Sequence, residues 1–210
     1  MGLRGYVFWF FGLAFLLSLF QSFEMLILSD ESRPTPAQDR HLTRDLTQRY
    51  DGYFRKYTRT YFGRMPWKWF KAQSIQESRL EPNAKSSAGA MGLMQLMPGT
   101  YKEIAREIGL PPTPYDPRAN IHAGIRYNLE CLNFWTERRS WQEKLRLMFA
   151  SYNAGSGNIV RAQKVVREQN LCSGRRWDCI KQGLPHVTGR HSQETIHYVD
   201  KVEYYYSMLR

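Results

Sequence analysis

Glu77 is the residue of this chain whose surroundings most suit proton transfer. It lies in SIQESRLEPNAKSSAGAMGLMQLMPGT, residues 74–100, where the only other acid is Glu81. At about 100° of rotation per helical residue, Trp67, Phe70, Gln73 and Ser74 share the face of Glu77, while Lys68 and Arg79 fall roughly opposite. A neighbouring cation would lower the pKa of the carboxyl. Partial burial without one raises it, and keeps the group protonated near neutral pH as a general acid. The competing reading is an exposed glutamate on the helix's last turn, as most glutamates are. Glu81 offers no second carboxylate beside it, because the residue before Pro82 is pushed out of helical geometry.

The residues after Glu77 bear on that choice. Ser86, Ser87, Ala88, Gly89, Ala90 and Gly92 are small, and small side chains let a backbone approach another object closely. Gln95 is a polar amide set among Met94, Leu96 and Met97. The segment is either a tight turn before a Met-rich core helix or the wall of a cleft with Ser86 and Gln95 facing a ligand. Further on, FASYNAGSGNIVRA places Tyr152 and Asn153 at a helix end broken by Gly155 and Gly157. Capping alone would account for that pair.

Helices must position these groups. Leu46, Tyr50, Tyr53, Phe54, Tyr57 and Tyr61 recur at intervals of three and four. Pro66 suits the first turn of a second helix reaching about residue 80. A third runs over 98–108 and stops at Gly109. Asp116 as N-cap and Pro117 at N1 open a fourth. Ser140 caps a fifth, carrying Leu145, Leu147, Met148 and Phe149. After NAGSGN another helix reaches about Gln169, and QETIHYVDKVEYYYSML closes the chain. With no alternating strand pattern, the expected class is all-α.

Composition bounds the function. A chain of 210 residues with 42% hydrophobic residues buries a core and is not disordered. Its net charge of +11 calls for an anionic partner. Near the N-terminus, Arg4 precedes an apolar run over 6–20 that extends through Phe23, and Glu24, Asp30 and Glu31 follow. The run is close to the roughly 17–20 residues that span hydrocarbon, and lacks a small-x-small cleavage site. Set against a cleaved signal or a buried core helix, it reads as an uncleaved anchor over 1–28 with the N-terminus inside and the remainder exported. A polar linker over 29–41 leads to a domain over 42–210. Export argues against nucleic acid and makes disulfides available. Cys172 and Cys179 flank the polar loop CSGRRWDC, which a bridge could close, while Cys131 reads as a buried thiol. No CxxC or HxxxH spacing suggests zinc; neither metal nor cofactor is expected.

Taken together, QESRLEPNAKSSAGAMGLMQLMPGT, SYNAG and ETIHYVDKV resemble the catalytic domain of SLT-type lytic transglycosylases, glycoside hydrolase family 23. The resemblance covers approximately residues 50–210. WDCIKQGLP and HYVDKVEYYY are most similar to the F-type membrane-bound members, although the large N-terminal solute-binding-like domain of that type has no counterpart here. The resemblance implies a lysozyme-like helical fold and non-hydrolytic cleavage of peptidoglycan glycan strands between N-acetylmuramic acid and N-acetylglucosamine. It implies Glu77 as sole catalytic acid/base and Ser86 as the serine near the reacting sugar. Gln95 and Met97 would line the cleft, Tyr152 and Asn153 would stand beside the catalytic site, and Glu194 would be a cleft glutamate. It also implies an inner-membrane-anchored enzyme acting in the periplasm. The alternatives are a hydrolytic muramidase, with Asp116 or Glu194 as second acid, and a membrane-tethered, non-catalytic module that binds glycan strands.

Overall fold

The computed structural model describes residues 48–209. The anchor expected over 1–28, the linker over 29–41 and the first residues of the domain, 42–47, lie outside the described residues. Among the described residues no helix is long and apolar enough to cross a membrane.

The first helix, α1 (Asp51–Phe62), begins later than the apolar spacing suggests, because Tyr50 takes a left-handed conformation, φ 65°, at its N-cap. Phe54 and Tyr57 are its buried residues from the expected face, whereas Tyr53 stays exposed. The next helix, α2 (Lys68–Ser78), is shorter at both ends than the expected 66–80. It stops because Arg79 and Leu80 are both left-handed, at φ 54° and 61°. Six consecutive residues of α2, Phe70 to Ile75, are buried. A helix buried on every side lies in the middle of a fold. Lys71 is among the six, and its ammonium pairs with Asp51 of α1.

Beyond the loop after α2 come α3 (Pro98–Ile108), α4 (Pro117–Asn133), α5 (Trp141–Ala154) and α6 (Ser156–Glu168). Their ends follow local chemistry. Asp116 accepts from the Ala119 N–H at 2.7 Å, Ser140 accepts from the Glu143 N–H at 3.3 Å, and Gly109 ends α3 at φ 68° with its N–H on the Ala105 carbonyl. Tyr101 holds the proline-rich loop after α3 by donating to the carbonyls of Pro111 and Thr113 at 2.9 and 2.8 Å.

Helical periodicity in the sequence does not reach residues 170–191. They form two short helices, α7 (Trp177–Gly183) and α8 (Pro185–Thr188), and a 3-10 turn (Gly189–His191), before the long closing helix α9 (Ser192–Met208). α7 packs closely on α6: a side chain at Gly183 would meet the Ala162 carbonyl. α9 crosses back to lie along α2, the most extensive helix pairing among the described residues. Two isolated β-bridges, Lys85–Met91 and Met91–Leu96, are the β-pairing among the described residues. The architecture is all-α, as expected.

Cys172 and Cys179 are joined across the loop before α7, and Cys131 is a buried free thiol. Arg167 donates to the Ser173 carbonyl at 2.9 Å, tying the same loop to α6. Replacing both bridged cysteines by alanine should lower stability by about 2–3 kcal/mol, the usual effect of opening a short loop. A guanidinium unfolding midpoint unchanged by the substitution would show that the loop needs no covalent tie.

Candidate active site

The C-terminal end of α2 carries Glu77. Part of this residue remains accessible to solvent, but its carboxyl is crowded by protein and receives the Tyr198 hydroxyl on Oε1 at 2.5 Å. Burial pushes the carboxyl up to about 8. The Tyr198 bond opposes that shift, and the charge of Glu194 adds to it. The full charge acting on Glu77 is therefore another carboxylate and not a cation. This is the environment that makes a carboxylic acid a proton donor near neutral pH. Glu81 points elsewhere: it is exposed, and its carboxyl accepts from the Asn83 N–H.

The segment 84–96 is fastened to three helices. Ser74 and Ser78 of α2 both donate to the Leu93 carbonyl at 2.9 Å. Asn120 of α4 accepts from the Met94 N–H at 2.7 Å and donates to the carbonyls of Met91 and Pro114. Tyr152 of α5 donates to the Met94 carbonyl at 2.7 Å. Gly92 has φ +76°, and a Cβ there would fall on the Asn120 amide and within 2.6 Å of the Pro114 carbonyl. Only glycine suits that position.

The residues read from sequence fall into distinct places. Ser86 is half-buried, with its Oγ accepting from the Ala90 N–H at 3.0 Å. Gln95 has a left-handed backbone, φ 46°, and its amide donates to the carbonyls of Ala84 and Gly92 at 3.2 and 2.8 Å. The amide thus braces the turn from within. Met97 is exposed at the head of α3. Tyr152 is buried, and burial together with Glu77 pushes its hydroxyl well above the usual range. Neither Tyr152 nor Asn153 caps a helix, since the closing bond of α5 runs from the Gly155 N–H to the Ser151 carbonyl. Asn153 instead accepts from the Thr195 hydroxyl at 2.8 Å. Asn153, Glu194 and Thr195 line a cavity of about 380 Å³ with Asn158, Thr188 and His191. Asp116 is occupied in capping α4.

Sequence reasoning missed Tyr198, the group in direct contact with Glu77. One turn beyond Glu194 on α9, it repeats that residue's face, which is the signal that could have found it. Gln73 and Asn128, which stand behind Tyr198, were also passed over as functional groups.

With this geometry in view, the comparisons with known proteins define the class. The family model for the transglycosylase SLT domain matches residues 53–171, and the chain belongs to that family. It is 30% identical over 160 residues to the membrane-bound lytic murein transglycosylase F of Shewanella loihica, covering 71% of this chain and 32% of that protein. Identity is also 30% over 181 residues to the protein of the same name from Shewanella halifaxensis, covering 80% and 37%. The chain thus spans about a third of the length of the curated relatives it matches. The fold is similar to the 70 kDa soluble lytic transglycosylase of Escherichia coli, with a TM-score of 0.60 and 28% identity over 81% of this chain and 25% of that one. An inactive variant of the lytic transglycosylase Slt from Pseudomonas aeruginosa gives 0.61 and 26%, covering 78% and 24%.

The raised pKa of Glu77 links folding to pH. A glutamate in the unfolded chain titrates near 4.5 and the folded one near 8, so between these values the folded state holds the extra proton. The stability contributed by Glu77 is complete below the lower value and is lost as pH rises through the upper one. Glu77→Gln keeps an oxygen for Tyr198 but cannot ionise. In thermal melts it should match the wild type at pH 4.5 and gain on it up to pH 8, by on the order of a few kcal/mol. A difference constant across that range would mean that the carboxyl titrates normally.

Proposed function

We propose that this chain is a peptidoglycan lytic transglycosylase with Glu77 as its single general acid/base. The observation that carries the reading is a carboxyl held near pKa 8 by burial, with a tyrosine hydroxyl as its direct partner. Two-carboxyl glycosidases place their acids about 5–5.5 Å apart for retention or about 6.5–9.5 Å apart for inversion. Here the substrate replaces the second carboxylate. Glu77 protonates the oxygen linking N-acetylmuramic acid to N-acetylglucosamine as that bond breaks. The muramoyl acetamido oxygen stabilises the cation that develops at C1. Glu77, now a carboxylate, takes the proton from O6 of the same sugar, and O6 bonds to C1. The result is a 1,6-anhydromuramoyl end, with no water consumed and the acid reprotonated. Attack from within one bound ring benefits from high effective molarity.

Ser86, whose Oγ already accepts a backbone bond, directs its hydroxyl hydrogen at the reacting sugar. Tyr152 holds the backbone of Met94 and so shapes the cleft floor. Met97, exposed at the head of α3, offers an apolar contact, and Gln95 keeps the turn closed beneath it. Asn153 and Glu194 bind a further part of the glycan in the cavity between α5 and α9. The net charge of +11 favours an acidic wall polymer. The Cys172–Cys179 bridge is of the kind maintained in oxidising compartments, in keeping with a catalytic domain in the periplasm tethered by residues 1–28. The relatives named above are described as membrane-bound.

Glu194 supports one other reading. It is the carboxylate felt by Glu77, and a hydrolytic muramidase would use it as the second acid. Mass spectrometry of soluble products from purified peptidoglycan, treated with the detergent-solubilised full chain, separates the cases. Anhydromuramoyl ends from the wild type and from Glu194→Gln, and none from Glu77→Gln, are expected. Reducing ends that vanish with Glu194→Gln would indicate the hydrolase. An absence of products from the wild type would leave a glycan-binding scaffold.

A further inference from the structure

Behind Glu77 the hydrogen bonds run in one direction, and that direction is fixed at a distance from the cleft. Asn128 of α4 donates through Nδ2 to the Gly124 carbonyl at 2.9 Å. A carbonyl oxygen only accepts, so this bond decides which way the Asn128 amide faces. The same nitrogen donates to Gln73 Oε1 at 2.8 Å. With its oxygen so held, Gln73 turns Nε2 to the Tyr198 oxygen at 3.0 Å. An amide nitrogen only donates. The Tyr198 oxygen therefore accepts from Gln73, and its single hydrogen goes to Glu77 Oε1.

Asn128 and Gln73 are completely buried and Tyr198 nearly so, which keeps bulk water from reversing the order. The arrangement leaves Asn128 Oδ1 buried without a hydrogen-bond partner among the described residues. Flipping that amide would not relieve it, because its oxygen would then oppose the Gly124 carbonyl and Gln73 Oε1. An unpartnered buried acceptor is unfavourable, and here it accompanies a fixed polarity.

We infer that Gln73 and Asn128 are positioning residues: they lock Tyr198 as a donor to Glu77 Oε1 and so place the acid's proton on Oε2. The inference rests on the reading of Glu77 as the general acid. An Oε1 that already receives a hydrogen cannot direct its own proton at the same tyrosine oxygen. A Tyr198 free to rotate would accept instead, drawing the proton onto Oε1 and away from a bound sugar. The locked donor has a second effect. It favours the carboxylate left after proton delivery, offsetting part of the burial that opposes ionisation. The titratable groups acting on Glu77 are Tyr198 and Glu194 from α9. Tyr152 from α5 is coupled to it, and feels in turn Tyr127 and Cys131 of α4. On α2 itself, Lys71 is turned to Asp51.

The test uses Gln73→Met and Asn128→Leu, each of which cuts the chain behind Tyr198 while leaving the cleft side of Glu77 intact. The Glu77 carboxyl is titrated by ¹³C NMR and assigned by its loss in Glu77→Gln. Both variants should raise its pKa by about one unit. They should also lower kcat about tenfold with KM within about twofold, and the basic limb of the kcat profile should move with the carboxyl. Reduced activity with an unmoved titration would mean a merely structural role and overturn the inference. Activity retained by Glu77→Gln would remove the acid reading, and the NMR titration would still decide the lock. Should Gln73→Met fail to fold, Asn128→Leu reads the same chain. If neither folds, the side-chain amide protons of Gln73 and Asn128 in the wild type decide it. Exchange as slow as that of core backbone amides supports the lock, and exchange as fast as that of an exposed amide overturns it.

Discussion

A carboxylic acid that has to hold its proton in neutral water must be shielded from water and from cations together. The crowding of Glu77 meets that constraint, and much of the fold follows from it. α2 lies in the middle of the domain, with Phe70 to Ile75 buried and Glu77 one turn beyond the Gln73–Ser74 pair. α9 returns across the molecule to place Tyr198 against the carboxyl. Of the cations near the acid in sequence, Lys71 pairs with Asp51 of α1, and Arg79, the C-cap residue of α2, is exposed. Burying a charge without a partner is strongly unfavourable, so the acid stays neutral and the buried lysine is given a carboxylate.

The segment 84–96 has a complementary part. It carries little regular structure, yet its backbone is held by Ser74 and Ser78, by Asn120 and by Tyr152. Buried backbone groups need partners, and here they come both from within the segment, as between Met91 and Leu96, and from side chains. The polar residues placed on α2, α4 and α5 supply the latter and tie the segment to those helices. The small residues allow the approach. Gly92 gives Asn120 and the Pro114 carbonyl room, and Gly124 gives room to Met94.

Much of this was legible in the residues. Asp116, Ser140, Pro98 and Gly109 mark helix ends by local chemistry, and the structure uses each in that role. The face of Glu77, with Phe70, Gln73 and Ser74 beside it, follows from helical period alone, and all three are buried. The family motifs pointed to the transglycosylase SLT domain, to which the chain belongs. What stayed hidden depends on contacts distant in sequence or on unusual backbone. Helical period puts Tyr198 on the face of Glu194, but no periodicity announces that Asn128 meets Gln73. The left-handed Gln95 breaks the local preferences by which a turn is recognised, so the bonds that its amide nitrogen makes within its own loop were not legible. The short helices α7 and α8 carry too few turns for an apolar stripe to show.

The bond between Tyr198 and Glu77 joins residues 121 positions apart, which ties chemistry to the order of folding. Contacts between such distant positions form only after a large loss of chain entropy has been offset by other structure. Until α9 has docked along α2, Glu77 lacks both the Tyr198 hydroxyl and the nearby charge of Glu194. The environment of this carboxyl is thus assembled only when parts of the chain far apart in sequence meet.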